Sequence, residues 1–238
     1  MYGDAEIEQI GKWFRQYDLK LLDIHGSVGP EKNWFSSVEY QRKAGVELVA
    51  NRMRMLRKLN GIGTVMMHIP MIQSTYTPVE ISNERKLVDN LKRSLDELMP
   101  LSRELNVPIA IENGYKDAFI VIEELLAEYP PEFLGICYDS GHGNMIDCKG
   151  LDHLDDNKNR LIALHLNDND GLSDLHQPPF YGTLDWERLA KILKASSYSK
   201  PMSFELAVRC TPYIDNLDAF IEDAYARCAK FTKMVMDN

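Results

Sequence analysis

Short apolar runs recur along the chain, and each ends in a side chain that can bind a metal or move a proton. Six such runs, among them LKLLDIH, VPIAIE and FLGICYD, are rich in Ile, Val and Leu. They are continuous rather than alternating, which is typical of strands buried on both faces of a parallel sheet. The runs end at His25, His68, Glu112, Asp139, His165 and Glu205.

Helical periodicity occupies the stretches between these runs. The predicted helices cover 6–17, 45–59, 83–105, 117–130, 185–196 and 215–235. Ser82 or Asn83 is available to cap the third of them, and Asp185 the fifth. Strand and helix therefore alternate without a linker or a low-complexity stretch. This pattern predicts a parallel α/β fold in a single domain over residues 1–238.

The residues at the strand ends distinguish an open doubly wound sheet from a closed barrel. In an open sheet, ligands collect at a switch point served by a few strands, whereas a (β/α)8 barrel draws site residues from many strand ends. About six strand ends carry such residues here, which favours the TIM-barrel type. No G-x-G-x-x-G follows the first strand, so a dinucleotide site is not expected.

The strand count is lower than a complete barrel needs. About six strands are recognisable and the chain begins in a helix, so we expect the N-terminal one or two strands to be lacking. A shortened chain, a start assigned too late in the gene, or a reduced barrel covered by a partner chain would each explain this. An open strand edge favours pairing with another chain, so a homo-oligomer is one expectation.

Composition and charge narrow the class of protein. The 238 residues are 45% hydrophobic and 26% charged, as in globular proteins, and the formal net charge is -9. A chain of this charge repels phosphate backbones, which argues against a nucleic-acid partner. No apolar run approaches a membrane span and no secretory signal is visible, so we expect a cytoplasmic location. The spacing of the four cysteines predicts reduced thiols rather than a disulfide framework.

Four of the strand-end residues form the strongest candidate for chemistry. Three carboxylates facing one cavity repel each other unless a cation or protons neutralise them, and we favour a divalent metal. Oxygen-rich ligation with one nitrogen suits Mn²⁺, Mg²⁺ or Co²⁺ better than a structural zinc site, with Zn²⁺ left open. The predicted ligands are Glu112, Asp139, His165 and Glu205. Further candidates for metal or substrate are His25, His68, His142, Asp174 and His176.

Several motifs together resemble one known superfamily over roughly residues 5–235. IENG, YDSGH, HLNDNDG followed by DLHQPPFYGTLDW, and FEL are similar to motifs of the xylose-isomerase-like sugar phosphate isomerase/epimerase superfamily. This superfamily also includes the endonuclease IV type of AP endonuclease (AP endonuclease family 2). The resemblance implies a metal-dependent (β/α)8 barrel active in carbohydrate metabolism.

The resemblance leaves two catalytic branches open. Its sugar isomerases and epimerases bind one ion through the positions of Glu112, Asp139, His165 and Glu205, with His142 touching substrate. The nuclease branch is similar at nine positions, those four and the five further candidates, which there bind three zinc ions. The acidic charge and the G-T-L-D-W ending favour the sugar branch, and a catalytically idle sugar-binding member is a third reading.

The implied reaction is proton transfer through an enediolate held on a divalent metal. Glu112 and Glu205 are the predicted catalytic pair, because each can take or return a proton on one side of the substrate. Asp139 and His165 are expected to hold the ion. Phe180, Tyr181 and Trp186 either wall the site or pack between the loop and the next helix.

Overall fold

Strands and helices alternate along the chain, as the sequence predicts. The computed structural model describes residues 1–26, 29, 31–73, 75–114, 119–145 and 149–237. The strands are β1 (Ile24–His25), β2 (Val65–Met67), β3 (Ile109–Glu112), β4 (Leu134–Asp139) and β5 (Leu161–His165). The helices are α1 (Asp4–Gln16), α2 (Glu39–Lys58), α3 (Pro78–Leu105), α4 (Phe119–Glu128), α5 (Ser140–Asn144), α6 (Gly150–Asn157), α7 (Trp186–Ala195) and α8 (Leu217–Asp237), with short 3₁₀ turns at Lys158–Arg160 and Val208–Cys210.

The sheet has the strand order of a parallel barrel fold. Its five strands follow chain order, β1-β2-β3-β4-β5. Val65 of β2 lies opposite Ile24 of β1 and Ile109 of β3, and both pairings are parallel. The predicted (β/α)8-type fold is confirmed, with five strands in the part of the chain that the structure describes. The sixth predicted strand forms only one parallel bridge, between Leu166 and Phe204.

The chain divides into two compact units. The first comprises Met1–Glu112 and Ile120–Ile136, and the second comprises Asn113–Phe119 and Cys137–Asn238. The single barrel domain over 1–238 stays a prediction. In each unit the apolar strand residues form the core: all of β2 is fully buried in the first, and Leu161 and Leu164 are buried in the second.

A buried arginine joins α2 to α3 in the first unit. Arg42 is fully buried, and its guanidinium donates to Glu39, to Glu97 (2.8 Å) and to the Ser94 hydroxyl (2.9 Å). The Arg42 hydrogen bond is the main reason that the pKa of Glu39 falls to about 2. Stability that Glu39 contributes is therefore present above its ordinary carboxyl pKa and is lost as the pH falls towards about 2.

The N-terminal cap of α3 differs from the prediction. Neither Ser82 nor Asn83 is the cap, because the helix begins five or six residues earlier, at Pro78. Thr77 and Glu80 form a reciprocal capping box, and Pro78 suits the first helical turn. The cap of α7 is as predicted, since the Asp185 carboxylate accepts the Arg188 N–H (2.9 Å).

Replacing either of two helical glycines of the first unit by alanine should have different effects on the free energy of unfolding. A Cβ at Gly45 of α2 would lie 2.3 Å from the Trp34 backbone nitrogen, and backbone cannot move aside cheaply. We expect Gly45→Ala to lower the free energy of unfolding by about 1 to 3 kcal/mol in urea titrations. The matched change Gly11→Ala meets only side-chain ends, the nearest at 3.3 Å, and should be neutral or gain up to about 1 kcal/mol from helix propensity. Equal effects of the two changes would contradict this account.

The cysteines and the apolarity of the helices bear on the expectations drawn from composition. Cys137, Cys210 and Cys228 form no disulfide, in agreement with reduced thiols, while Cys148 lies outside the described residues, as do positions 117–118 of the predicted fourth helix. Within the described ranges, no helix combines the length and apolarity that crossing a membrane requires.

Candidate functional site

Three predicted site residues of the first unit lie together. His25 ends β1, His68 directly follows β2 and Glu112 ends β3, so the parallel register places them at neighbouring carboxyl ends of strands. His68 Nε2 lies 2.7 Å from Glu112 Oε2, and the two imidazole rings meet edge to face at 5.0 Å. One ligand atom from each of the three residues lies within 4.8 Å of the others, close enough for a shared cation.

Three predicted metal ligands of the second unit also lie together. Asp139 ends β4, His165 ends β5, and Glu205 follows the Phe204 bridge to Leu166. The Glu205 N–H donates to the Leu166 carbonyl (3.1 Å), which brings the Glu205 side chain beside His165. His165 Nδ1 lies 3.0 Å from Glu205 Oε2. Single ligand atoms of Asp139, His165 and Glu205 lie within 4.8 Å of one another.

A second group in this unit surrounds Asp174. The imidazole nitrogens His142 Nε2 and His176 Nε2 lie 3.7 Å and 3.0 Å from its carboxylate oxygens. The interaction with the His142 side chain is the main reason that the pKa of Asp174 is lowered, against partial burial, which raises it. His176 has a left-handed backbone conformation (φ 50°), which is uncommon outside glycine and concentrates at functional sites.

Three of the histidines are oriented by backbone carbonyls. The Nδ1 atoms of His25, His142 and His176 hydrogen-bond the carbonyl oxygens of Gly26 (2.8 Å), Asn113 (2.9 Å) and Glu205 (3.2 Å). A carbonyl only accepts, so Nδ1 carries the proton and Nε2 is the nitrogen that can coordinate an ion. This arrangement is usual for histidine ligands of metals. Carboxylate oxygens and imidazole nitrogens that lie within 4.8 Å of one another are donors that suit a divalent cation.

Two buried amide side chains, those of Asn113 and Asn167, hydrogen-bond Asp139, and neither residue was predicted from the sequence. The Asn113 side chain accepts the Asp139 N–H (2.7 Å) and donates to the Asp139 carbonyl (3.0 Å), as a neighbouring strand would. Asn167 Nδ2 lies 3.1 and 3.0 Å from the two Asp139 carboxylate oxygens. Asn167 Oδ1 is buried and has no hydrogen-bond partner among the described residues. Such an oxygen costs about 1 to 3 kcal/mol.

Comparison with known proteins identifies the family. The family model described as "Xylose isomerase-like TIM barrel" matches residues 1–227. The chain belongs to this family. The resemblance found in the strand-end motifs is thereby confirmed.

Relatives of this xylose isomerase-like chain are longer than it is. An uncharacterised protein, y4fM, of Sinorhizobium fredii (strain NBRC 101917 / NGR234) is 32% identical over an aligned length of 257. The alignment covers 99% of this chain and 81% of the relative. Among solved structures, the E. coli 3-keto-D-glucoside 4-epimerase YcjR has a TM-score of 0.74 at 18% identity, covering 95% of this chain and 85% of that one. A D-tagatose 3-epimerase-like protein has a TM-score of 0.72 at 19% identity, covering 94% and 85%. At these identities the structural likeness supports the fold.

The aromatic end of the His165 loop packs against α8 in this family member. Phe180 lies 5.5 Å from Trp186, and Trp186 lies 4.6 Å from Phe231 of α8, measured between ring centroids. Asp168, fully buried, accepts the Trp186 indole N–H (2.8 Å) and three backbone N–H groups. These contacts agree with the packing reading of the aromatic residues.

The predicted residues thus form groups within each unit. The first unit brings together His25, His68 and Glu112, and the second brings together Asp139, His165 and Glu205 beside the His142, Asp174 and His176 group. The four-ligand set takes Glu112 from one unit and three residues from the other, so it stays a prediction. The missed residues are Asn113, directly after Glu112, and Asn167, two positions after His165; both lie in the quoted motifs IENG and HLNDNDG, which were the available signal.

Proposed function

We propose that this protein is a metal-dependent sugar or sugar phosphate isomerase or epimerase with a small-molecule sugar as substrate. The observation that carries this is the grouping of Asp139, His165 and Glu205, whose ligand atoms lie within 4.8 Å of one another in a xylose isomerase-like chain. The sugar epimerases among its structural neighbours support the same reaction class.

The proposed ligands are Glu112, Asp139, His165 and Glu205, which would hold Mn²⁺, Mg²⁺, Co²⁺ or Zn²⁺. Such an ion, when bound, polarises a substrate carbonyl and makes the neighbouring C–H more acidic. Carboxylates with a single imidazole suit a hard divalent cation, and manganese is the first one to test.

The chain's own contribution is proton transfer. Glu112 and Glu205 are the proposed pair: one removes the proton from the carbon next to the carbonyl, giving an enediolate. In an epimerisation the other delivers a proton to the opposite face of the same carbon. In an isomerisation it delivers a proton to the former carbonyl carbon, while the hydroxyl proton passes from one oxygen to the other. Glu112 is almost fully buried, whereas the Glu205 side chain is 42% exposed.

His142 and His176 are proposed to orient the substrate. Their Nδ1 protons are held by backbone carbonyls, so each ring keeps one direction without needing the ligand. Asp174 lies between the two Nε2 atoms and can accept a hydrogen bond from a substrate hydroxyl. This group determines which sugar hydroxyls are accepted.

Metal binding should be visible as a gain in thermal stability. Protein stripped with a chelator and then given Mn²⁺ at 100 times its Kd should gain about 2.7 kcal/mol, provided that the unfolded chain does not bind the ion. For a chain of this size the gain corresponds to about 5 to 10 °C in Tm. Asp139→Ala should remove most of this rise, whereas Asp155→Ala, on the half-exposed side of α6, should keep it. A wild-type Tm that no divalent ion raises would contradict the metal-dependent function.

A phosphodiesterase of the endonuclease IV type is the second candidate. The observation in its favour is the presence of further ligand groups in each unit: His25, His68 and Glu112 in the first, and Asp139, His142 and His176 in the second. Elemental mass spectrometry of the purified protein separates the candidates. About one equivalent of manganese, cobalt or magnesium supports the sugar enzyme, whereas two to three of zinc, with cleavage of an abasic-site duplex, support the nuclease. Metal-induced stability without turnover of any sugar would identify a catalytically idle sugar-binding member.

A further inference from the structure

We propose that Asn167 is the positioning residue that orients the Asp139 carboxylate for metal binding. This inference rests on the proposed function, because it takes Asp139 to be a metal ligand. Asn167 lies two positions after His165, in the segment that continues β5, and it touches Asp139 through a single amide group.

The contact holds the carboxylate at both of its oxygens. Asn167 Nδ2 lies 3.1 Å from Asp139 Oδ1 and 3.0 Å from Oδ2, so the amide group straddles the carboxylate. The His142 backbone N–H donates to Oδ1 at 2.7 Å, which adds a third contact from a different element. Rotation of the Asp139 side chain about its last bond would break these contacts together.

Asn167 is itself held on its backbone side. The Ser140 hydroxyl accepts the Asn167 N–H (2.9 Å) and donates to the Asn167 carbonyl (2.6 Å). Ser140 directly follows Asp139, so one short segment carries both the oriented carboxylate and the hydroxyl that anchors its partner. Asp139, Ser140 and Asn167 are all fully buried, and solvent does not compete for these hydrogen bonds.

The other end of the Asn167 amide shows that its orientation serves Asp139. Asn167 Oδ1 has no hydrogen-bond partner among the described residues, although it is buried. Exchanging the amide oxygen and nitrogen would turn an acceptor towards the Asp139 carboxylate and remove both contacts. The buried unpaired oxygen is therefore the consequence of keeping the NH₂ group on the carboxylate.

Gly141 provides the space that this arrangement needs. A Cβ at Gly141 would lie 1.9 Å from Asn167 Oδ1, so any other residue there would displace the amide. The D-S-G-H motif thus supplies the ligand, the anchoring hydroxyl and the open space at successive positions 139–141.

The test separates metal affinity from folding stability. Chelator-stripped wild type, Asn167→Ala and Asn167→Leu are titrated with Mn²⁺ by calorimetry, and the Tm of each metal-free protein is measured. We expect the Kd for Mn²⁺ to rise about ten- to a hundredfold in both Asn167 variants. Leucine has the same branching as asparagine and leaves no space unfilled, so Asn167→Leu controls for a cavity.

Asn169→Ala is the matched control. Asn169 is an equally buried amide in the same loop, and it bonds the Gly141 carbonyl (2.8 Å) and the Gly171 N–H (2.9 Å) rather than a predicted ligand. Its replacement should lower the Tm of the metal-free protein and leave the Kd within about twofold of wild type, since the metal ligands keep their orientation. Equal rises in Kd for the Asn167 and Asn169 variants, or an unchanged Kd for Asn167→Leu, would overturn the positioning role alone. Wild type that binds neither Mn²⁺ nor Mg²⁺, Co²⁺ or Zn²⁺ would overturn the proposed function with it.

Discussion

Replacing Glu205 by Gln is expected to slow turnover by about 10² to 10⁴, the usual contribution of a positioned acid or base. The amide keeps the shape of the side chain but cannot accept a proton from carbon. It can still hydrogen-bond His165 Nδ1, which lies 3.0 Å from Glu205 Oε2 in the wild type. Folding should therefore be preserved. Turnover is measured as incorporation of solvent deuterium into a panel of free and phosphorylated ketopentoses and ketohexoses, followed by NMR.

The control distinguishes loss of chemistry from loss of metal or fold. Glu187→Gln removes an exposed carboxylate from the first turn of α7 and should leave the exchange rate unchanged. The metal content and the Tm of Glu205→Gln are measured alongside, because Glu205 is also a proposed ligand. A Glu205→Gln enzyme that retains full metal and more than about a tenth of the wild-type rate would eliminate the two-carboxylate mechanism.

Replacing Arg42 by Met is expected to lower the free energy of unfolding by about 2 to 4 kcal/mol. The guanidinium is fully buried and donates charge-assisted hydrogen bonds to Glu39 and Glu97, and methionine replaces its volume but none of these bonds. Ser94 also loses its contact with Arg42, while its own bond to the Trp34 carbonyl (2.6 Å) remains. Urea titration of the purified proteins measures the difference.

Arg93→Met is the matched control for burial. Arg93 bonds the same Glu39 carboxylate (3.1 Å) from α3, but its side chain is 54% exposed. Exposed ion pairs contribute about 0 to 1 kcal/mol, so this change should be small. If Arg93→Met and Arg42→Met cost the same, burial would not be what makes Arg42 important.

The Arg42 network also leads to the candidate site of the first unit. Ser94 bonds the Trp34 carbonyl, and the fully buried Trp34 indole donates to the His68 carbonyl (3.0 Å). The segment that carries His68 is therefore attached to the α2 and α3 packing. The sequence did not mark Arg42, which precedes the predicted helix over 45–59, because its partner Glu97 lies 55 positions away.

The sequence predicted the elements because their signals are local. Continuous apolar runs marked β2, β3, β4 and β5, and the residue types at their ends marked the candidate ligands. The Thr77 cap is also a local signal, but it was missed because the predicted helix begins only at Asn83. The last predicted strand was shorter than its apolar run indicated, because only Phe204 meets Leu166.

The sequence alone determined the fold class, the order of strands and helices, and the residue types gathered at the carboxyl ends of the strands. Only the tertiary structure decided the partners of those residues: Asn113 and Asn167 on Asp139, and backbone carbonyls on the Nδ1 atoms of His142 and His176. Periodicity and residue type depend on neighbours within a few positions, so they can be read along the chain. Hydrogen bonds between residues 26 to 29 positions apart depend on how strands and loops pack in space, so they cannot be predicted from one sequence alone.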